Sequence, residues 1–384
     1  MRFEFATASR IIIGAGTARE VGPIAKGLGR RALVVTGRTP HRAEPLLTIL
    51  REHRVSAITF PVAGEPEIET VRTGTALAKA EGCDQVIGFG GGGALDAGKA
   101  IAAMLTNTGE LLDYLEIVGR GESLTAAPAP FIAIPTTAGA GSEVTRNSVL
   151  ASPEHRVKVS LRSPLMLPKV ALVDPELTYD LPPAITATTG MDALAQLIEP
   201  FVCTRANPLT DALCVEGIGR VARSLRKAYE DGQNGVARED MAVASLFGGM
   251  ALTNAGLGAV HGIAGPLGGM FPAPHGAICA ALLPHVVATN LRALRERQPG
   301  SGALFRYERV AGLLTGHSGA SADDGVEWLH KLVADLDIPR LAGYGITPDQ
   351  TAELIEKAAR ASSMKANPLA LTPAELAGIL ESAL

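Results

Sequence analysis

Apolar and polar positions follow two different patterns along this chain. In the first half, short apolar runs alternate with stretches of helical period. Ala32 to Thr36 (ALVVT), Ala57 to Val62, Val86 to Phe89, Phe131 to Pro135 (FIAIP) and Val170 to Val173 (VALV) read as strands. Between them, residues 43–53 and 68–81 read as helices, and another opens at Ala94. Strands separated by helices predict a parallel sheet covered on both faces. Near Leu181 the pattern changes. LPP marks a break, and helical periodicity then runs through 185–203, 208–230, 238–255, 306–316, 321–336 and 348–360 with almost no strand-like alternation. The boundary falls near residue 180, between an α/β domain over 1–180 and an all-helical domain over 181–384. There is no internal repeat and no long linker, so the two halves are expected to enclose a cleft.

Composition narrows the class. At 384 residues the chain exceeds one ordinary core, which supports two domains. Net charge is −4 with the signs mixed and no basic stripe, which argues against nucleic-acid or membrane-surface partners. No run reaches the ~18 uninterrupted apolar residues of a membrane span. The start, MRFEFATASRIIIGAGTARE, is not a secretory signal, and a cytoplasmic protein is expected. Cys83, Cys203, Cys214 and Cys279 form no C-x-x-C pair and read as free thiols.

Candidate chemistry sits in three places. Gly90 to Gly93 follow a buried strand and precede a helix. Successive glycines let backbone amides converge, and the helix start adds unpaired N–H groups and a positive dipole end. That combination suits a phosphate or pyrophosphate; the plainer reading is a tight turn without ligand. In TTGMDALAQLIEPF, Met191, Leu194, Ile198 and Phe201 form an apolar stripe, while Asp192, Gln196 and Glu199 share another face. That polar face reads equally as solvated or as chemical. Further on, His261, His275 and His285 lie in a stretch without a charged residue. Asp192 with His261 and His275 makes a mixed N/O set suited to Zn²⁺ or Fe²⁺. His285, between Pro284 and Val286 near an expected helix end, reads as an ordinary core histidine.

Taken together, these motifs resemble the group III, iron-containing alcohol dehydrogenase family, within the dehydroquinate synthase-like superfamily that also holds glycerol dehydrogenase. GGGGALDAGK, IPTTAGAGSEVT, LVDPELTYDLPP with TGMDALAQLIEP, and AVHGIAGPLGGMFPAPHG follow in the family's order over essentially the full chain. The resemblance implies an α/β parallel-sheet dinucleotide-binding domain followed by an all-α domain. It implies NAD or NADP held by Gly91, Gly92, Gly93, Asp96, Thr136, Thr137, Asn147 and Lys158. It places metal ligands at Asp192, Gln196, His261 and His275. Gly93 stands where serine is usual. Gln196 stands where the family has histidine, and a carboxamide oxygen is a poor ligand for Fe²⁺ or Zn²⁺. Gly265 stands where another histidine is common near the substrate.

The implied reaction is reversible hydride transfer between the nicotinamide and an alcohol, aldehyde or ketone, with the metal as electrophile and no side chain assigned as general base. Gly37 and Arg38 follow ALVVT where a carboxylate usually meets the adenosine ribose. Arg38 either pairs with a 2′-phosphate or points to solvent, and NADPH is expected to be tolerated. Three other readings compete. A metal-free mode like that of maleylacetate reductases draws on Gln196 and Gly265, though that branch is expected to carry asparagine where Asp192 stands. A family member that has lost its metal draws on the same two positions. A dehydroquinate synthase type would need basic residues over 240–290, where there are none. That charge-free region leans toward a neutral small-molecule alcohol or aldehyde, and family members commonly form homo-oligomers such as dimers.

Overall fold

In the computed structural model, residues 2–347 and 350–384 are described, and they fall into two compact units. One comprises Thr7–Thr137 and Gly141–Thr178; the other comprises the segment ending at Ala6, Ala138–Ala140 and Tyr179–Leu384.

The first unit carries β1 (Ile11–Ile13), α1 (Val21–Leu28), β2 (Arg31–Thr36), α2 (Glu44–Glu52), β3 (Ser56–Pro61), α3 (Ile68–Ala80), β4 (Gln85–Gly90), α4 (Gly92–Thr106), α5 (Leu111–Tyr114), β5 (Phe131–Pro135), β6 (Asn147–Ser152), β7 (Val157–Arg162) and β8 (Val170–Val173). Six of these strands form one parallel sheet in the order β1-β8-β5-β4-β2-β3. Its strands are nearly unbroken apolar runs because both faces are covered. Leu33, Val35, Val86 and Phe131 pack to one side with Leu95 and Ile101 of α4. Val34, Ile87, Ile132 and Ile134 pack to the other with Val21 and Ala25 of α1 and Leu46 and Leu50 of α2. The chain passes outward from β2 to β3, then returns across β2 to β4 and goes on to β5. That reversal puts a ligand crevice at the carboxyl ends of β2, β4 and β5.

Two features were not legible in the apolar pattern. β1 is three residues long, too short to show a period. β6 and β7 form an antiparallel hairpin, with Ser148 and Ser152 on the buried side of β6, so hydroxyls replace the expected apolar alternation. The helix after the glycines begins at Gly92, two residues before the expected Ala94, so Gly92 and Gly93 belong to its first turn.

The helical unit carries α6 (Pro183–Val202), α7 (Pro208–Glu230), α8 (Gly235–Asn254), α9 (Ala259–Met270), α10 (His275–Arg297), α11 (Gly302–Thr315), α12 (Ala322–Asp335), α13 (Thr351–Arg360) and α14 (Pro373–Ala383). Residues 348 and 349, the start of the helix expected over 348–360, lie outside the described residues. Helices α6 and α7 approach closely at two glycines. A Cβ on Gly190 would stand 2.2 Å from Leu225 Cδ1, and one on Gly217 would stand 2.6 Å from Leu197 Cδ2.

Helices α9, α10 and α14 escaped the sequence reading. Almost every residue in the first two turns of α9 is buried, so no polar face marks its period. In α10, Pro284 reads as a stop but lies inside the helix, and His285 is mid-helix rather than at an end. By length and composition α10 is apolar enough to cross a membrane, with a mean hydropathy of 1.5 over its most apolar window. That window is 83% buried within the fold, the property of a core helix.

Candidate metal centre and nucleotide loop

The helical unit brings together four side chains of metal-ligating type. Asp192 projects from the middle of α6, His261 from the first turn of α9, and His275 and Cys279 from the first two turns of α10. One donor atom from each lies within 4.8 Å of every other. Asp192 Oδ1 is 3.3 Å from His261 Nε2 and 3.8 Å from His275 Nε2. Cys279 Sγ is 3.6 Å from His275 Nε2 and 3.9 Å from His261 Nε2.

Local packing explains the convergence. Spacing of four on α10 puts His275 and Cys279 on one face. A Cβ on Gly276 would stand 2.7 Å from the Thr188 carbonyl, so this glycine lets the start of α10 close on α6. Gly258 plays the same part before α9, where a Cβ would meet Asn367 Oδ1 at 2.8 Å and Glu199 Oε1 at 2.9 Å.

Glu199 shares a face with Asp192 and completes the arrangement. Its Oε2 accepts a hydrogen bond from His261 Nδ1 at 2.6 Å, and its Oε1 accepts one from the Val260 backbone N–H at 2.7 Å. The carboxylate therefore fixes the His261 tautomer, leaving Nε2 as the donor directed at the cluster, and it also complements the positive end of α9. Asn367 Oδ1 accepts from the Ala259 N–H beside it.

The electrostatics suit a cation. Burial alone would raise the Asp192 carboxyl, but His275 and His261 outweigh it and hold it below the ordinary aspartate range. Burial alone would lower His261, but Cys279, Glu199 and Asp192 around it raise it well above the usual imidazole range. Burial pushes the Cys279 thiol up to about 12. Asp192 Oδ1 is buried without a hydrogen-bond partner, as is Gln196 Oε1. A buried carboxylate oxygen that makes no well-aligned hydrogen bond and faces two imidazoles and a sulfur fits an ion better than it fits an apolar core.

Gln196 lies one turn after Asp192, and its Oε1 is 3.5 Å from where a Cβ on Gly248 of α8 would stand. Gly265, on α9, faces open space. His275 is the accessible member, its side chain 32% exposed against 5% for Asp192 and 7% for His261.

In the sheet unit, the expected nucleotide residues divide into two groups. Gly37 and Arg38 follow β2, Gly91 to Gly93 follow β4, and Thr136 and Thr137 follow β5, so all sit at the carboxyl ends of three neighbouring strands. Thr136 N–H donates to the Gly90 carbonyl, and a Cβ on Gly91 would touch Thr137 at 3.3 Å. A Cβ on Gly93 would stand 2.2 Å from the Gly64 carbonyl oxygen, which excludes the serine usual there. Arg38 is exposed.

Asp96 and Lys158 are engaged within the protein through their side chains, and Asn147 through its backbone carbonyl. Asp96 accepts from Ser142 Oγ at 2.5 Å and from Val149 N–H at 2.9 Å, and pairs with Lys99 at 3.2 Å. Lys99, fully buried, donates to the Ser142 and Asn147 carbonyls and to Thr145 Oγ1. Burial lowers Lys99 and raises nearby Glu143 to about 7. This latch ties the TTAGAGSE loop to α4, a role the sequence motif did not disclose. Lys158 pairs with Glu65 at 2.5 Å.

Comparison with known proteins gives a consistent result. Residues 8–175 match the family model described as iron-containing alcohol dehydrogenase, and residues 186–384 match that of the Fe-containing alcohol dehydrogenase family, C-terminal. A 1,3-propanediol dehydrogenase of Klebsiella pneumoniae is 38% identical over 362 residues, 92% of each chain. An NAD-dependent methanol dehydrogenase of Bacillus methanolicus is 34% identical over 381 residues, 97% of each chain. Among solved structures, a 1,3-propanediol oxidoreductase superposes with a TM-score of 0.92 at 35% identity, covering 100% of both chains.

Proposed function

The chain belongs to the iron-containing alcohol dehydrogenase family, and from that premise we propose how its own residues serve the reaction. It is an alcohol dehydrogenase, an oxidoreductase that interconverts an alcohol with its aldehyde or ketone. Asp192, His261 and His275 would hold a divalent cation, which would supply Lewis-acid stabilisation of negative charge on the substrate oxygen, and a bound nicotinamide would supply the hydride chemistry.

The protein's contribution is orientation. Glu199 holds His261 in one tautomer, so Nε2 needs no reorganisation to act as a donor. Asp192 supplies the negative charge, kept ionised by the imidazoles beside it. His275, the exposed member, marks the side from which substrate arrives. The region from Met241 to Asn290 carries no charged side chain other than its histidines, which favours a neutral alcohol over a diacid. Open space at Gly265 leaves room for substrate and leaves the proton to water or the cofactor ribose.

The amides of Gly91 to Gly93 and the threonines after β5 would hold the cofactor's pyrophosphate, and exposed Arg38 would donate to a 2′-phosphate, extending cofactor use to NADP. The single observation that carries the metal reading is the convergence of donor atoms from Asp192, His261 and His275 within 4.8 Å of one another. Asp192→Ala and His275→Ala are expected to abolish turnover while the chain stays folded and binds nucleotide. Full activity in either variant, or in chelator-treated protein, overturns this reading.

A further inference from the structure

We infer that Cys279 is a metal ligand, taking the place in the donor set that Gln196 fills poorly, and that its thiolate biases the site toward Zn²⁺. The inference rests on the metal reading above and concerns which atom completes the set. Three observations carry it.

Cys279 Sγ lies among the other donors, 3.6 Å from His275 Nε2 and 3.9 Å from His261 Nε2. Bonds of roughly 2.0–2.3 Å to a zinc that keeps a further position for substrate place neighbouring donors roughly 3–4 Å apart. Four of the six spacings, 3.3, 3.6, 3.8 and 3.9 Å, fall in that range, and the other two do not exceed 4.8 Å. Second, Cys279 is wholly buried beside Asp192, whose Oδ1 makes no well-aligned hydrogen bond and faces the imidazoles at 3.3 and 3.8 Å. A cation shared by the carboxylate, the imidazoles and the thiolate accounts for a sulfur placed in this polar cluster rather than in the apolar core. Third, Gln196 offers a neutral carboxamide oxygen, and sulfur is the stronger donor for Zn²⁺.

The step balances without an oxidant. On metal uptake the Cys279 S–H bond breaks, a sulfur–metal bond forms, and the proton leaves to solvent.

The test loads the metal-stripped full chain with one equivalent of Co²⁺, whose spectrum reports its ligands. A thiolate-to-cobalt charge-transfer band is expected in the unmutated protein and in Gln196→Ala, and is expected to vanish in Cys279→Ala and Cys279→Ser. Zn²⁺ affinity, measured by competition with a chelator, is expected to fall by more than about tenfold in both Cys279 variants. Bound cobalt without a thiolate band, or a band that persists in Cys279→Ala, overturns the role of Cys279 and leaves the Asp192, His261 and His275 reading standing. A chain that takes up no Co²⁺ or Zn²⁺ overturns both.

Discussion

At the scale of single residues, the candidate metal site depends on one carboxylate that is not itself among the candidate ligands. Glu199 accepts from His261 Nδ1 with one oxygen and from the Val260 N–H with the other. Replacing it with glutamine puts an amide NH₂ opposite one of those two donors, so one bond becomes a repulsive contact. Glu199→Gln is therefore expected to weaken metal binding about 10- to 100-fold while the fold survives. Chelator competition with circular dichroism checks this, and unchanged affinity would mean that His261 is held by packing alone. The candidate ligands Asp192, His261 and His275 were legible because they stand out against apolar neighbours. Cys279 was not, because a cysteine among Ala, Ile and Leu has the appearance of a small core residue until its neighbours in space are known. The latch of Asp96 and Lys99 stayed hidden for a related reason: its partners are 43 to 53 residues away and are mostly backbone atoms.

At the scale of elements, apolar period revealed the strands and helices that have a polar face or a clean boundary. It failed for α9 and α10, where burial leaves little contrast along the chain. Helix α10 also carries a titratable contact away from the metal. His285 stacks edge-on against His330 of α12, with ring centres 5.1 Å apart. Burial, then His330 and Arg340, push His285 down from 6.5 to about 4. The folded chain thus disfavours the protonated form, and between pH 6.5 and 4 the unfolded chain binds the extra proton. This group's contribution to stability is complete above pH 6.5 and is lost as pH falls toward 4. His285→Gln is expected to flatten the fall in thermal midpoint across that window. An unchanged slope in the variant would assign the acid sensitivity to other groups.

At the scale of the whole molecule, the order of motifs already revealed a sheet-based half followed by a helical half, since each motif carries its own element type. What spacing alone could not disclose is that each half holds its own candidate site: glycine amides after β4 in one unit, and four converging donors in the other. If each site takes its ligand, each ligand should stabilise the fold by its own mass action, about 2.7 kcal/mol at a hundredfold excess over its Kd. Two consequences can be separated by thermal unfolding. Removing metal should lower the midpoint of the unmutated chain, and Zn²⁺ should restore it, with neither change seen in Asp192→Ala. NAD⁺ and NADP⁺ should both still raise the midpoint of Asp192→Ala, because the nucleotide residues lie at the ends of β2, β4 and β5, apart in sequence from the missing carboxylate. Arg38 distinguishes the two nucleotides. It is exposed and follows a strand end that carries no acidic residue to repel a 2′-phosphate. Arg38→Ala should reduce the shift given by NADP⁺ and leave that given by NAD⁺. If NADP⁺ gives no shift where NAD⁺ saturates, the guanidinium is a solvated surface charge and the site belongs to NAD⁺ alone.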